Sequence, residues 1–346
     1  MDYLIVTDAL NRPLGGQRPG VAWGAELIKR GYRVGIMAPC ATRDVSTRLQ
    51  ALGFEILAPP CRHATRVPLK GFFTALRAHP PQEKEKGEGE ILNFSNQMAF
   101  PSHVYYFQGF LTDLARAIFS AGARSVGVGI PLFKILDLKL ITAMRRSRRI
   151  VANSPEAARQ LMRHGLMPAT IIPPPIPMKE WEEYREARPG KWGSGYVLVM
   201  LGKETNYEYL APILRRLMGR KPILFAGARM FIRPPPWVRG QHVGFVEEEE
   251  MPQLYAGASL TIFVYSHEPF GYVPIESVAA GSPALVIGAP HGPACYASII
   301  RGIHYASPEA APSMAEALLN EEVDRDAALR VLNPESSLSE FLSIMG

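Results

Sequence analysis

A chain of 346 residues is long for one hydrophobic core and suits two domains of ordinary size. Its 47% hydrophobic and 20% charged residues describe a folded globular protein and exclude a disordered or fibrous one. The net charge of +6 is unevenly spread: residues 1–175 hold 23 Lys and Arg against 12 Asp and Glu (+11), whereas residues 176–346 hold 15 against 20 (−5), which points to a half that meets something anionic.

Cys40, Cys61 and Cys295 lack metal or disulfide spacing and read as buried thiols of a reducing, cytoplasmic compartment. Asp2 and Asp8 interrupt any apolar start, which argues against a signal peptide. Lys134, Asp137 and Lys139 keep residues 126–144 from reading as a membrane span.

In chain order, Tyr3–Thr7 reads as a strand, Asn11–Gly16 as a loop ending Gly15-Gly16, Val21–Gly31 as an amphipathic helix and Tyr32–Met37 as a strand. This βαβ opening lacks G-x-G-x-x-G, so a nicotinamide oxidoreductase is disfavoured. A helix at Asp44–Leu52 and a strand at Phe54–Leu57 follow, and the charged run Pro80–Glu90 reads as an exposed loop. Ile91–Phe94 and Val104–Phe107 are strands, the second running into Gln108-Gly109, while His103 reads as structural or exposed. Segments 115–121 and 131–144 bring apolar residues together with Lys134, Lys139, Arg145, Arg146, Arg148 and Arg149. Two readings fit: a basic amphipathic helix lying on an anionic bilayer, or a surface helix whose basic last turn suits its dipole. Ile150–Ser154 is a strand and Pro155–Gly165 a helix. The prolines after Ile171-Ile172 then make a stiff crossing, where the first domain ends.

Lys179–Arg188 is helical, and the strand Tyr196–Leu201 runs into Gly202-Lys203. The strand Pro222–Ala226 runs into Gly227-Ala228-Arg229; His242–Val246 is a further strand, and Glu247–Glu250 open a helix through Tyr255. Ala284–Ile287 is a strand before the loop Gly288–Pro293, in which His291 reads as incidental; helices at 311–320 and 338–345 close the chain. Asp324-Arg325-Asp326 has the form of a metal-binding D-x-D, but a solvated helix face suits it better.

The richest stretch is Phe263–Leu285, FVYSHEPFGYVPIESVAAGSPAL. Leu260–Tyr265 reads as a strand buried on both faces, followed by a turn with Pro269 and Gly271. A short helix follows, with Pro274 at its first position and Ala279, Ala280 and Gly281 at its close. Free amides and a positive helix end at the tip of a strand can receive phosphate. Glu268 and Glu276 flank that spot. Singly, Glu268 reads as a solvated loop charge and Glu276 as a dipole complement.

Together, inside H-E-P-F-G-Y-x-P-x-E-x-x-A-x-G, they resemble the E-x7-E segment of retaining GT-B glycosyltransferases of family 4 (glycosyl transferases group 1), which includes sucrose synthase and phosphatidylinositol mannosyltransferase. The resemblance implies an α/β fold of GT-B architecture, two doubly wound Rossmann-like domains facing a cleft. Residues 1–175 would form the acceptor-side domain, 176–330 the nucleotide-sugar-binding domain, and 331–346 a helix packing back on the first. It implies transfer of a hexose from a nucleotide-sugar to a hydroxyl acceptor with retention, without cofactor or metal.

By the same resemblance, Glu268 and the amides of Phe270, Gly271 and Tyr272 hold the sugar, and Glu276 holds the ribose. Gly16 approaches the donor phosphates, Lys203 binds the pyrophosphate with Arg229 as a compensating cation, and Val246 offers its backbone to the base. The catalytic set is then Glu268, Lys203 and Gln108. In the front-face mechanism proposed for such enzymes the leaving phosphate takes the acceptor proton, so no protein base is required. Two positions depart from the family pattern: Gln108 stands where relatives often carry histidine, and Asn206, Tyr207 and Glu208 stand where a second lysine is usual. These departures keep open a sugar-nucleotide-binding protein without transferase activity. The basic first half suits an anionic lipid or phosphorylated carrier as acceptor, and peripheral contact with the inner face of an anionic membrane. Nucleic acid is not expected, since no aromatic-interleaved basic groove is evident.

Overall fold

The computed structural model describes residues 1–10, 16–61, 89–120, 127, 129–202, 205–227, 237–265, 267–319 and 321–345. The chain forms two compact units: Met1–Thr112, Gly129–Met178 and Asn333–Gly346 make the first, and Asp113–Val128 with Lys179–Leu332 the second.

The first unit is built on seven parallel strands: β1 (Tyr3–Val6), β2 (Val34–Met37), β3 (Glu55–Leu57), β4 (Glu90–Asn93), β5 (Val104–Phe107), β6 (Arg149–Ala152) and β7 (Thr170–Ile171). Their order in the sheet is β3-β2-β1-β4-β5-β6-β7, with Tyr3 opposite both Val34 and Glu90. The order reverses between β1 and β4, so the crevice suited to a ligand lies at their carboxyl ends. Strands such as Val104–Phe107, buried throughout, are apolar without alternation because helices cover both faces.

The first helix, Arg18–Lys29, begins three residues earlier than the apolar period predicts, with Pro19 in its first turn. A Cβ on Gly24 would lie 2.4 Å from the Phe54 ring, so only glycine lets this helix sit so close. Its Trp23 is fully buried, meets the rings of Phe94, Tyr106 and Phe341, and donates from Nε1 to Ser337 Oγ at 2.8 Å. Phe341 and Ser337 belong to the closing helix Pro334–Ser343, which thereby completes the first unit's core.

One expectation is overturned here. Cys40 and Cys61 are joined as a disulfide across 21 residues of chain, and Cys295 remains outside any disulfide. The pair escapes a reading by spacing because the contact is made by the strand tips. Ala41 bridges Leu10 on one side and Pro60 on the other, bringing the loops after β2 and β3 side by side.

The second unit holds six parallel strands: β8 (Tyr196–Leu201), β9 (Ile223–Gly227), β10 (Gln241–Gly244), β11 (Ala258–Tyr265), β12 (Ala284–Gly288) and β13 (Ile303–Ala306). Their order is β10-β9-β8-β11-β12-β13, so this sheet too reverses direction, between β8 and β11. The strand β13 lies outside the sequence reading, because His304 and Tyr305 interrupt its apolar run. No helix among the described residues is long and apolar enough to cross a membrane.

Candidate functional site

The strand β11 lies in the middle of its sheet, paired with β8 and β12, and is buried on both faces as its composition predicts. Beyond it the chain turns through His267–Gly271 into the helix Tyr272–Ala279. The helix starts two residues earlier than Pro274 suggests. Gly271 takes φ +76 at the cap, a conformation that costs glycine little and relieves Pro274 of starting the helix. The N-cap, Gly271, has no side chain with which to cap this end.

Glu276 is therefore the fifth helical residue, beyond the first turn where a dipole complement would sit. It is 4% exposed, and Tyr255 Oη donates to its Oε2 at 3.2 Å. A buried carboxylate is costly to keep without donors, so this position is built rather than incidental.

The turn that carries Glu268 is held by backbone contacts. A Cβ on Gly292 would stand 1.9 Å from the Glu268 carbonyl oxygen, and one on Gly288 1.9 Å from that of Tyr265. A Cβ on Gly271 would meet Pro293 Cγ at 2.4 Å. The Tyr265 hydroxyl reaches the carbonyls of Ala289 and His291, locking the same loop from below. Phe270 is buried, with ring contacts to Tyr272 at 5.0 Å and Tyr296 at 5.4 Å, so it can offer a ligand its backbone but not its ring. Burial holds the Tyr296 phenol well above its ordinary range, so it stays protonated.

At the tip of β8, the Gly202 amide donates to Thr205 Oγ1 at 2.8 Å. Asn206 caps the helix Tyr207–Leu217 by accepting from the Glu208 amide at 2.8 Å, and Tyr207 is buried in the core of the unit. The second lysine that the resemblance implies is absent where two of three residues are committed to folding. Lys203 and Arg229 lie outside the described residues. The preceding Gly227 has φ +105, and a Cβ there would stand 2.2 Å from the Leu201 carbonyl oxygen. Val246 follows β10 with its side chain buried, which again leaves its backbone. Asp324 of the D-x-D accepts from the Ala327 amide at 3.0 Å, capping the helix Arg325–Leu332.

In the first unit, Gly16 and Gln108 are brought together. Gln108 Nε2 donates to the Gly16 carbonyl at 2.8 Å and to the Phe94 carbonyl at 2.9 Å. Carbonyls only accept, so the amide nitrogen must face both, and Gln108 tethers the glycine loop to the tip of β4. Its Oε1 is left as the atom that can accept from a ligand; it has no proton-accepting chemistry comparable to histidine.

The same tip holds a group that sequence reasoning missed. Asp8 Oδ1 accepts from Ser95 Oγ at 2.5 Å and from the Gln97 amide at 2.9 Å. Burial nevertheless raises its carboxyl above the ordinary value, against those donors. The signal available was an Asp directly after an apolar strand, which as a single residue carries little weight.

Residues 238–328 match the family model described as "Glycosyl transferases group 1", which spans the β10–β13 region and both glutamates. Among solved structures, the chain is similar to sucrose-phosphate synthase from Thermosynechococcus elongatus. That match has TM-score 0.69 and 13% identity, covering 99% of this chain and 98% of that one. It is similar to Anabaena HepE solved in complex with UDP-glucose, with TM-score 0.66 and 14% identity over 99% of this chain and 100% of that one. WaaG, a glycosyltransferase involved in lipopolysaccharide biosynthesis, matches with TM-score 0.63 and 16% identity, covering 99% of each chain. A search of curated proteins found no match. Two doubly wound parallel sheets and these likenesses identify the fold as GT-B.

Proposed function

We propose that this GT-B chain is a retaining glycosyltransferase that moves a hexose from a nucleotide-sugar to a hydroxyl acceptor without a metal. The observation that carries the reading is the pairing of Glu268, on a turn fixed at the tip of a central strand, with a buried, hydrogen-bonded Glu276 in the following helix. Both lie inside the segment that matches the glycosyltransferase family model. HepE was solved with UDP-glucose, which supports a nucleotide-sugar as donor.

In this reading Glu276 accepts from the ribose hydroxyls, and Glu268 accepts from the sugar while the amides of Phe270, Gly271 and Tyr272 donate to it. The helix end at Gly271, with the cations Lys203 and Arg229, meets the phosphate charge, so no bridging ion is needed. The acceptor oxygen bonds to the anomeric carbon as the bond from that carbon to the phosphate oxygen breaks. The departing phosphate takes the acceptor proton on the same face, so configuration is retained. Gln108 Oε1 receives the acceptor hydroxyl but removes no proton.

Thermal-shift screening of nucleotide-sugars tests the donor site, since a selective ligand stabilises the native state. Glu276→Ala then weakens donor binding, and Glu268→Ala mainly lowers turnover; variants that bind and turn over donor like wild type would remove the site. Activity abolished by chelator and restored by magnesium or manganese would end the metal-free mechanism. A second reading, donor binding without transfer, is favoured by one observation: Asn206 and Tyr207 fill the second lysine's place with structural roles. Turnover separates the two, and NMR of the product anomer decides retention.

A further inference from the structure

We infer that the outward face of the helix Ile130–Arg145 is a docking surface for an anionic bilayer. The helix has 16 residues and buries Leu136, Asp137, Leu140, Ile141, Ala143 and Met144 against the first unit. The opposite stripe, at spacings of three, four and seven, exposes Lys134, Ile135, Leu138, Thr142 and Arg145. Leu138 is 64% exposed and Ile135 48% exposed, side by side in the middle of the stripe. Two large aliphatic side chains are thus held in water next to each other, one turn apart, between cations.

The charges around them have one sign. Lys134 lies one turn before Leu138, Arg145 and Arg146 lie two turns after it, and exposed Arg148 follows. The single carboxylate between residues 127 and 155 is Asp137, and it is turned inward. Its two oxygens accept from the Leu111 amide at 3.0 Å and the Thr112 amide at 2.9 Å. The stripe therefore presents an apolar centre with cations at both ends and no anion among them. That pattern matches a helix lying in the plane of a headgroup layer, aliphatic groups seated between lipids and cations at the phosphates. It also gives the basic first half a partner that a neutral, water-soluble surface would not.

The test uses the full chain and vesicles without any donor, so its outcome is independent of the glycosyl-transfer reading. Co-sedimentation is measured with vesicles of phosphatidylcholine containing one-third phosphatidylglycerol, and with phosphatidylcholine alone. Binding to the anionic vesicles is expected, falling as salt rises, because screening shortens the reach of each charge to about 10 Å at 0.1 M. The pair Arg145→Gln and Arg146→Gln should weaken it roughly tenfold. Leu138→Ser alone should weaken it several-fold, with circular dichroism and melting temperature unchanged because the side chain is already exposed. Equal or negligible pelleting with both vesicle types overturns the inference. So does binding that the arginine variants reduce but Leu138→Ser does not, which would be diffuse electrostatic adhesion. A chain that is dimeric by light scattering, becomes monomeric with Leu138→Ser and ignores vesicles would instead assign this face to a second copy.

Discussion

The turn after β11 in the second unit and the loop after β1 in the first end on the same kind of strand, yet they are held by different means. The first is clamped by backbone against backbone, with Gly292 on Glu268 and Gly288 on Tyr265, and leaves no room for any side chain. The second is tied by side-chain amides and hydroxyls: Gln108 to Gly16 and Phe94, and Ser95 to Asp8. A clamp of the first kind holds the backbone of the turn and tolerates no side chain at either glycine. Tethers of the second kind can be exchanged residue by residue while the loop survives. The difference is one of tolerance: the first turn depends on glycine at fixed positions, the second on side chains that others can replace.

Breaking the clamp should have the largest effect. Gly292→Ala combines φ +63 with a Cβ 1.9 Å from a carbonyl oxygen. It should cost roughly 3 kcal/mol or more. A drop in melting temperature of about 10 °C is the expected readout. A melting temperature within a degree or two of wild type would mean the contact is soft and the comparison false.

Breaking a tether should cost less and depend on pH. Gln108→Glu replaces two donated bonds with a carboxylate facing two carbonyl oxygens, a loss of about 2 kcal/mol near neutrality. Protonation restores one donor, so the defect should shrink at pH 5 relative to pH 8 in urea titrations. A defect independent of pH would show that the amide does not face those carbonyls.

The bond from Tyr255 to Glu276 tests whether the second glutamate is poised by its neighbour. Tyr255→Phe should remove about 1.5 kcal/mol, the lower range for a bond to a charged group. Donor KM should rise several-fold with kcat little changed, as steady-state kinetics would show. A fall in kcat at constant KM would assign Glu276 to the chemical step instead.

The smallest effect is expected at Asp8, whose carboxyl is raised by burial. The ionised form is disfavoured in the folded state, so the penalty is absent below the ordinary carboxylate value and grows as pH rises through the raised one. Asp8→Asn keeps an oxygen for Ser95 and Gln97 but carries no charge to bury. It should match wild type near pH 3.5 and exceed it at pH 7, as urea titrations at the two pH values would show. Greater stability of the wild type at neutral pH would show the carboxylate fully compensated.

Much of this arrangement was legible in the residues. Leu260–Tyr265, most of the strand at 258–265, announced itself as a continuous apolar run, and the two glutamates carried their spacing openly, because period and spacing are local properties. What stayed hidden depends on partners distant in sequence. Nothing near Gly292 says that the Glu268 carbonyl will press on it, and nothing near Asp8 points to Ser95, 87 residues on. Cys40 finds Cys61 only because two strand tips are neighbours in the sheet. Asn206 looked like a gap in a motif until its capping bond gave it a structural task.

The burial of Trp23 against Phe341 and Ser337 bears on how the chain is made. A ribosome delivers the strands of the first unit early, while the residues that seal its core are translated some 300 positions after Trp23, a separation of 314 for the bond to Ser337. The nascent first unit must therefore wait with an aromatic face uncovered while the long stretch of the second unit, Lys179–Leu332, emerges and folds. Vectorial synthesis thus reverses the order of the units: the later one is finished first. A ribosome stalled before residue 334 would hold a second unit that resists protease and a first unit that does not.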